Sequence, residues 1–285
     1  MGKELLPLKN EIKNIIKPII LCAGEGSRLK QLTKTIPKPL LKLEVLDNKT
    51  ILEITINNIQ KLGIKQIAIV IGHLGYKISE LVSRLSDNSE FLQDMLLIID
   101  SKNKYKLGPL YSLLSIMKNK NLFNHKNIYL LIPGDTVFDF PILAELMQEI
   151  IKKKSLIQDY ALTFYRNIEV KKLKEHYGES KTISIVDIET SSLNDLLVKI
   201  SKIDIQQLSS NDTIKQVIPI FLLNYNIIRK ISKTKVPKKT VWEMLNVVIE
   251  KGNEILACEI TAAYDFYDID NLSDLEILSK KRKGQ

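Results

Sequence analysis

The chain has 285 residues, 45% of them apolar and 26% charged, a balance that excludes intrinsic disorder and provides for a sizeable buried core in one large domain. Forty-two Lys and Arg against 33 Asp and Glu leave a net charge of +9; the lysines are scattered, with short runs only at Lys152–Lys154 and Lys280–Lys283, which reads as a solvated surface rather than a nucleic-acid face. Two cysteines, Cys22 and Cys258, exclude a disulfide framework and suit a reducing cytosol.

Residues Lys3–Lys17 place apolar side chains at Leu5, Leu8, Ile12, Ile15 and Ile16, near a helical period, until Pro18 breaks the pattern. Residues 1–17 are therefore expected to form an amphipathic helical extension, and residues 18–285 a single domain. The apolar run Ile19–Ala23 falls far short of the ~20 residues that cross a bilayer. No apolar leader segment precedes it, so a soluble, cytoplasmic protein without membrane insertion is expected. Pro18–Cys22 reads as a buried parallel strand entering a Gly-rich turn at Gly24 and Gly26.

From there strands and helices alternate. Helices are expected at Thr50–Leu62, Tyr76–Leu85, Leu110–Lys118 and Pro141–Lys152, and strands at Gln66–Ile71, Met95–Ile99 and Ile128–Ile132. This rhythm implies right-handed βαβ crossovers, with ligands at the carboxyl ends of the strands. After about residue 155 the pattern becomes β-rich with little helix: strands are expected at Ala161–Tyr165, Thr182–Ile188, Leu196–Ile203 and Gln216–Leu223. A helix at Val241–Lys251, a strand at Glu254–Ile260 and a helix at Leu272–Lys281 close the chain. The fold expected is α/β: a Rossmann-like three-layer α/β/α unit around a mostly parallel mixed sheet, extended by a smaller β-rich portion.

The most informative segment runs Leu21-Cys-Ala-Gly-Glu-Gly-Ser-Arg-Leu-Lys-Gln-Leu-Thr-Lys-Thr-Ile-Pro-Lys-Pro-Leu40. Gly24, Gly26 and Ser27 directly after a strand let successive backbone N–H groups converge, which makes an anion nest. Arg28 adds a fork suited to phosphate oxygens, and Lys38, restrained between two prolines, adds a placed point charge. A dinucleotide fingerprint is excluded because Leu29 stands where its third glycine belongs, and no P-loop Gly-Lys-Ser/Thr follows Gly26.

This segment resembles the signature of the sugar-phosphate nucleotidyltransferases, Leu-Ala-Ala-Gly-x-Gly-Ser/Thr-Arg-Leu-x-x-Leu-Thr-x-x-x-Pro-Lys-Pro-Leu, with Cys22 replacing an alanine. The resemblance is close over residues 18–40 and looser over the helix, strand and helix that follow. It implies transfer of a nucleotidyl group from an NTP to a small phosphorylated acceptor, with Leu21, Ala23, Gly24, Gly26 and Ser27 binding nucleotide and Arg28 and Lys38 acting on its phosphates. Ile128–Asp135 resembles the family's strand ending in Gly-Asp, which makes Asp135 a ligand of Mg²⁺. Phe266-Tyr-Asp-Ile-Asp270 resembles its closing segment, except that Asn271-Leu-Ser273 stands for Thr-Pro-Glu. Asp268 and Asp270 are both candidates for the second metal ligand, because alternation along a strand points them to one face. Asp274 is expected to cap or decorate the last helix.

Leu107–Leu113 occupies the place where the family holds base and ribose, implying contacts from Gly108, Pro109 and Ser112; Gly-Pro entering a helix is also a common turn. The family's acceptor lysine lies in a Glu-Lys-Pro after a strand, and Ser201-Lys202-Ile203 is the nearest counterpart. His73, His125 and His176 receive no role, since no second histidine lies at metal-ligand spacing. A sugar 1-phosphate is the first acceptor class expected; phosphocholine or a polyol phosphate with a cytidylyltransferase is the alternative, and a non-catalytic nucleotide-binding regulator and a GT-A glycosyltransferase are the others. Homo-oligomerisation is left open.

Overall fold

The structure is a computed structural model that describes residues 10–283 apart from 30, 31, 179 and 262. Helix α1 (Asn10–Ile15) leads directly into strand β1 (Ile16–Cys22). The expected helix over Lys3–Lys17 thus ends at Ile15, and its first part, residues 1–9, lies outside the described residues. The strand starts early because Ile16 pairs with Ile128 and both it and Ile12 are buried in the core. Pro18 is tolerated in β1 because pairing with the neighbouring strand on one side begins only at Ile19.

The chain continues through β2 (Lys42–Leu43) and β3 (Lys49–Thr50), α2 (Ile51–Lys61), β4 (Ile67–Ile71), α3 (Gly75–Asp87), α4 (Glu90–Met95), β5 (Leu96–Asp100), α5 (Pro109–Leu113), β6 (Ile128–Pro133), β7 (Thr136–Phe138) and α6 (Phe140–Lys152). The second half holds β8 (Ala161–Glu169), α7 (Val170–Tyr177), β9 (Thr182–Glu189), β10 (Leu196–Asp204), β11 (Thr213–Asn224), α8 (Tyr225–Lys233), α9 (Val241–Glu250), β12 (Ile255–Glu259), β13 (Phe266–Asp268) and α10 (Leu272–Lys283).

One nine-stranded mixed sheet carries the fold, in the order β5-β4-β1-β6-β11-β8-β12-β10-β9. Strands β5, β4, β1 and β6 are mutually parallel, β11 runs against both β6 and β8, and β10 runs against β12 and β9. The long β9–β10 ribbon joins the rest of the sheet at two places, Leu196 opposite Leu256 and Ile185 opposite Gln216. Strand β11 breaks register between Ile218 and Phe221, around Pro219, which has no N–H to give a ladder.

The period-two alternation of each central strand divides the core. Ile16, Ile20, Ile67, Ile69, Ile128 and Leu130 face one side with α2, α3 and α6, whereas Ile19, Ala68, Val70, Tyr129 and Leu131 face the other with α5, α8 and α9. Ile16, Ile19 and Ile20 are completely buried. Burying a side chain of this size contributes roughly 1.5–3 kcal/mol, so β1 and its neighbours form a rigid platform for the loops at their carboxyl ends.

Capping boxes fix two helix starts, Thr50 with Glu53 for α2 and Thr240 with Glu243 for α9. Two helices occur where little helix is expected from the sequence. In α7, Val170, Leu173 and Tyr177 fall on one face, and in α8, Asn224 accepts from the Ile227 N–H while Ile227, Ile228 and Ile231 are buried. They have eight and nine residues, too few for their periodicity to stand out beside the strands around them. The helix expected over Leu110–Lys118 is α-helical only to Leu113 and continues as a 3₁₀ turn over Leu114–Lys118.

Candidate active site

The loop after β1 is shaped by its glycines and one threonine. Gly26 has φ +62°, and a Cβ there would meet Thr33 Cγ2 at 2.9 Å, so a side chain is excluded by both conformation and space. Thr33 Oγ1 donates to the Gly26 carbonyl at 2.9 Å and the Leu29 N–H to the same oxygen at 3.0 Å. Among the described residues, none beyond its chain neighbours comes within 4 Å of a Cβ placed on Gly24; it borders an open cleft. Ser27 and Arg28 follow in a 3₁₀ turn, and Arg28 is exposed.

Lys38 begins another 3₁₀ turn, between Pro37 and Pro39, and is only 7% exposed. Its Nζ donates to Asp135 Oδ2 at 2.8 Å and to Asp270 Oδ1 at 3.2 Å. Burial pulls the Lys38 pKa down, but Asp135 and Asp270 outweigh it and hold the ammonium above its ordinary value. Arg28 reaches the other oxygen of Asp270 at 2.8 Å.

Asp135 is placed by β6 and by Gly134. A Cβ at Gly134 would lie 2.6 Å from the Leu21 carbonyl and 2.7 Å from Cys22 Sγ, and the Gly134 N–H donates to that carbonyl at 3.0 Å. Only glycine lets the Asp135 turn pack directly on β1. The short antiparallel ribbon of β7 and β13 then sets Asp268 opposite Thr136, and the Ile269 N–H donates to the Asp135 carbonyl at 3.1 Å.

Asp135, Asp268 and Asp270 consequently each offer a carboxylate oxygen within 4.8 Å of the others. Both aspartates left open by the sequence join the cluster. Burial, reinforced by the charges of Asp135 and Asp270, pushes the Asp268 pKa up to about 7. Asp270 is also penalised by burial, yet Lys38, Lys181 and Arg28 pull its pKa below the ordinary carboxylate value. An all-oxygen, carboxylate-rich set fits a hard divalent cation such as Mg²⁺.

Two clefts meet at this cluster. The first, about 400 Å³, is lined by Leu21, Ala23, Gly24, Pro109 and Ser112 from the expected nucleotide set, and by Tyr105 and Trp242, which no motif marked. The second, about 460 Å³, lies against the β-rich half, where Ser180, Lys181, Thr182, Gln216, Asn271 and Ser273 contribute polar groups. Arg28, Lys202, Pro219, Asp268 and Asp270 line both. Gly108 stands behind the first cleft: it has φ +118°, and a Cβ would meet the Lys239 carbonyl at 2.7 Å.

Among the histidines, His176 is buried with Nδ1 3.4 Å from Asp265 Oδ2, behind the strand that carries Asp268. His73 donates its backbone N–H to the Ala23 carbonyl at 3.0 Å, and His125 is exposed. Lys181 and Gln216 escape sequence reasoning because neither sits in a patterned motif; long-range strand pairing brings them to the site.

A family model described as nucleotidyl transferase matches residues 17–179. The chain is 30% identical over 127 residues to D-glycero-alpha-D-manno-heptose 1-phosphate guanylyltransferase of Campylobacter jejuni, covering 45% of this chain and 51% of that protein. It is 35% identical over 80 residues to 2-aminoethylphosphonate cytidylyltransferase of Lancefieldella rimae, covering 26% and 31%. These alignments span about half or less of the curated relatives' lengths. In fold, the chain is similar to a UDP-glucose pyrophosphorylase complexed with UDP-glucose, with TM-score 0.68, 16% identity and coverage of 95% and 100%. It is also similar to CTP:phosphocholine cytidylyltransferase from Streptococcus pneumoniae, with TM-score 0.61, 19% identity and coverage of 93% and 98%. Matched over more than half its length by the family model, with the glycine loop, the buried lysine and the paired aspartate motifs brought to one place, the chain belongs to the nucleotidyl transferase family.

Proposed function

We propose that the protein is a Mg²⁺-dependent nucleotidyltransferase that moves NMP from an NTP to a phosphorylated acceptor and releases pyrophosphate. The observation that carries this reading is the position of Lys38 and the three carboxylates at the junction of two clefts. In this reading residues 18–285 act as one catalytic domain with a Rossmann-like three-layer arrangement, working in the cytoplasm. Among the described residues no helix is long and apolar enough to cross a membrane.

The reaction needs an acceptor phosphate oxygen to attack the α-phosphorus in line while the bond to the β-phosphate oxygen breaks. Such chemistry depends on positioning and charge neutralisation more than on a protein nucleophile. The first cleft takes the nucleoside, with the Gly24–Ser27 backbone and Arg28 toward the β- and γ-phosphates. Lys38 is placed for the charge that develops at the α-phosphate. Asp135, Asp268 and Asp270 would hold Mg²⁺, which supplies charge neutralisation across phosphate oxygens. Lys202, lining both clefts, suits the acceptor phosphate.

The second cleft favours a polyhydroxylated acceptor, a sugar 1-phosphate first. Ser180, Thr182, Ser184, Gln216, Asn271 and Ser273 supply hydroxyl and amide groups along it, suited to the hydroxyls of a sugar. The test is pyrophosphate release with Mg²⁺, crossing four NTPs with sugar 1-phosphates, polyol phosphates, phosphocholine and other small phosphates. One productive pair is expected, silenced by EDTA and restored by Mg²⁺. Nucleotide binding without turnover on any acceptor would support a regulatory protein instead, and no nucleotide binding would overturn the reading.

A further inference from the structure

Lys181 belongs to none of the motifs described above. It precedes β9, lines the second cleft, and has a side chain only 9% exposed. Its Nζ donates to the backbone carbonyl of Asp268 at 2.7 Å and pairs with Asp274 Oδ1 at 2.9 Å. The other oxygen of Asp274 accepts the backbone N–H groups of Asp270 at 2.6 Å and Asn271 at 3.0 Å. Asn271 Oδ1 in turn accepts the Asp274 N–H at 3.1 Å. One buried cation therefore grips the peptide of Asp268 directly and that of Asp270 through a single carboxylate.

This pair joins parts of the chain that are distant in sequence. Ser180, Lys181, Thr182, Ile183 and Ser184 form one wall of the second cleft, while the Asp268–Asp274 turn carries two of the three clustered carboxylates. A buried ion pair carries a large desolvation penalty, and an apolar pair would close the same space without it. A staple alone does not require a lysine at this place. A lysine does supply a charge that fixes the carbonyl beside one carboxylate and orients the carboxylate that fixes the other.

We propose that Lys181 is a positioning residue: with Asp274 it sets the Asp268–Asp270 turn in the geometry that holds a divalent cation, and it ties that turn to the wall of the acceptor cleft. The proposal rests on the nucleotidyltransferase reading for its purpose, but it is tested by metal binding, which needs no turnover. Changes to groups that orient metal ligands typically cost about 10–100-fold in metal affinity.

The experiment titrates Mn²⁺ into the full chain and follows free Mn²⁺ by electron paramagnetic resonance, for wild type, Lys181→Met, Lys181→Arg and Asp274→Asn. Lys181→Met is expected to weaken Mn²⁺ binding at least about tenfold, with Lys181→Arg recovering part of the loss. Asp274→Asn is expected to shift it in the same direction by less, because its remaining oxygen can still accept from one of the turn amides. Should Lys181→Met fail to fold, the Arg and Asp274→Asn variants decide the matter through the same titration. Where turnover is measurable, the half-activating Mg²⁺ concentration and the acceptor KM rise in Lys181→Met. A folded Lys181→Met with a lower Tm but unchanged Mn²⁺ affinity would make Lys181 a structural staple and overturn the proposal while leaving the nucleotidyltransferase reading standing. A tenfold loss of Mn²⁺ affinity in a chain that turns over no substrate pair would support the positioning role and count against the nucleotidyltransferase reading. Wild type that binds no Mn²⁺ would overturn the positioning role, while the nucleotidyltransferase reading would still be decided by pyrophosphate release.

Discussion

Replacing Lys38 with methionine is expected to lower turnover at least ~100-fold, the loss typical of removing one charge that stabilises a transition state. Methionine keeps most of the buried stem, so packing around Pro37 and Pro39 is preserved while the ammonium is removed. That ammonium lies 2.8 Å from Asp135 and 3.2 Å from Asp270, and without it three carboxylates face one another with less compensation. A steady-state assay on the productive substrate pair, with circular dichroism to confirm folding, checks the result. Near-native turnover in a folded variant would remove Lys38 from the mechanism. Lys38→Arg is expected to recover little, since a planar fork does not substitute for a compact charge held between two prolines.

Asp268→Asn is expected to abolish Mg²⁺-dependent activity and to stabilise the metal-free protein at neutral and alkaline pH. The sign follows from linkage: the folded pKa is raised to about 7 from an ordinary 3.8, so the folded state holds this proton more tightly than the unfolded state. The associated stability is present in full below the unfolded value and is lost as pH rises through the folded one. In wild type without metal, Tm should therefore fall between about pH 4 and about pH 7 more steeply than in Asp268→Asn, with the two curves separating across that window. Differential scanning fluorimetry in EDTA measures this directly. Curves that stay parallel throughout would mean that Asp268 ionises as an ordinary surface carboxylate. A residue whose removal stabilises the fold while abolishing activity is one kept for chemistry.

The glycine loop and Lys38 are legible in the sequence because each depends on local geometry, a tight turn and a proline-restrained lysine, whereas Asp135 at its strand's end takes its role only from the resemblance. The pairing of Asp268 and Asp270 with Asp135 is legible only through resemblance, since it rests on the three-residue ribbon of β7 and β13, which no periodicity announces. Lys181 and Gln216 are the least legible. Their partners lie far along the chain, as in the Lys181–Asp268 and Arg166–Gln216 contacts, and only strand order brings them together. The short helices α7 and α8 are obscured for a related reason, because tertiary burial rather than length stabilises them.

Nucleotidyl transfer is tested by following label from NTP to acceptor. With Mg²⁺ and the productive pair, phosphorus-32 at the α-position should appear in the acceptor product and phosphorus-32 at the γ-position in pyrophosphate. Label from the γ-position on the acceptor, or hydrolysis with no labelled acceptor product, would contradict nucleotidyl transfer.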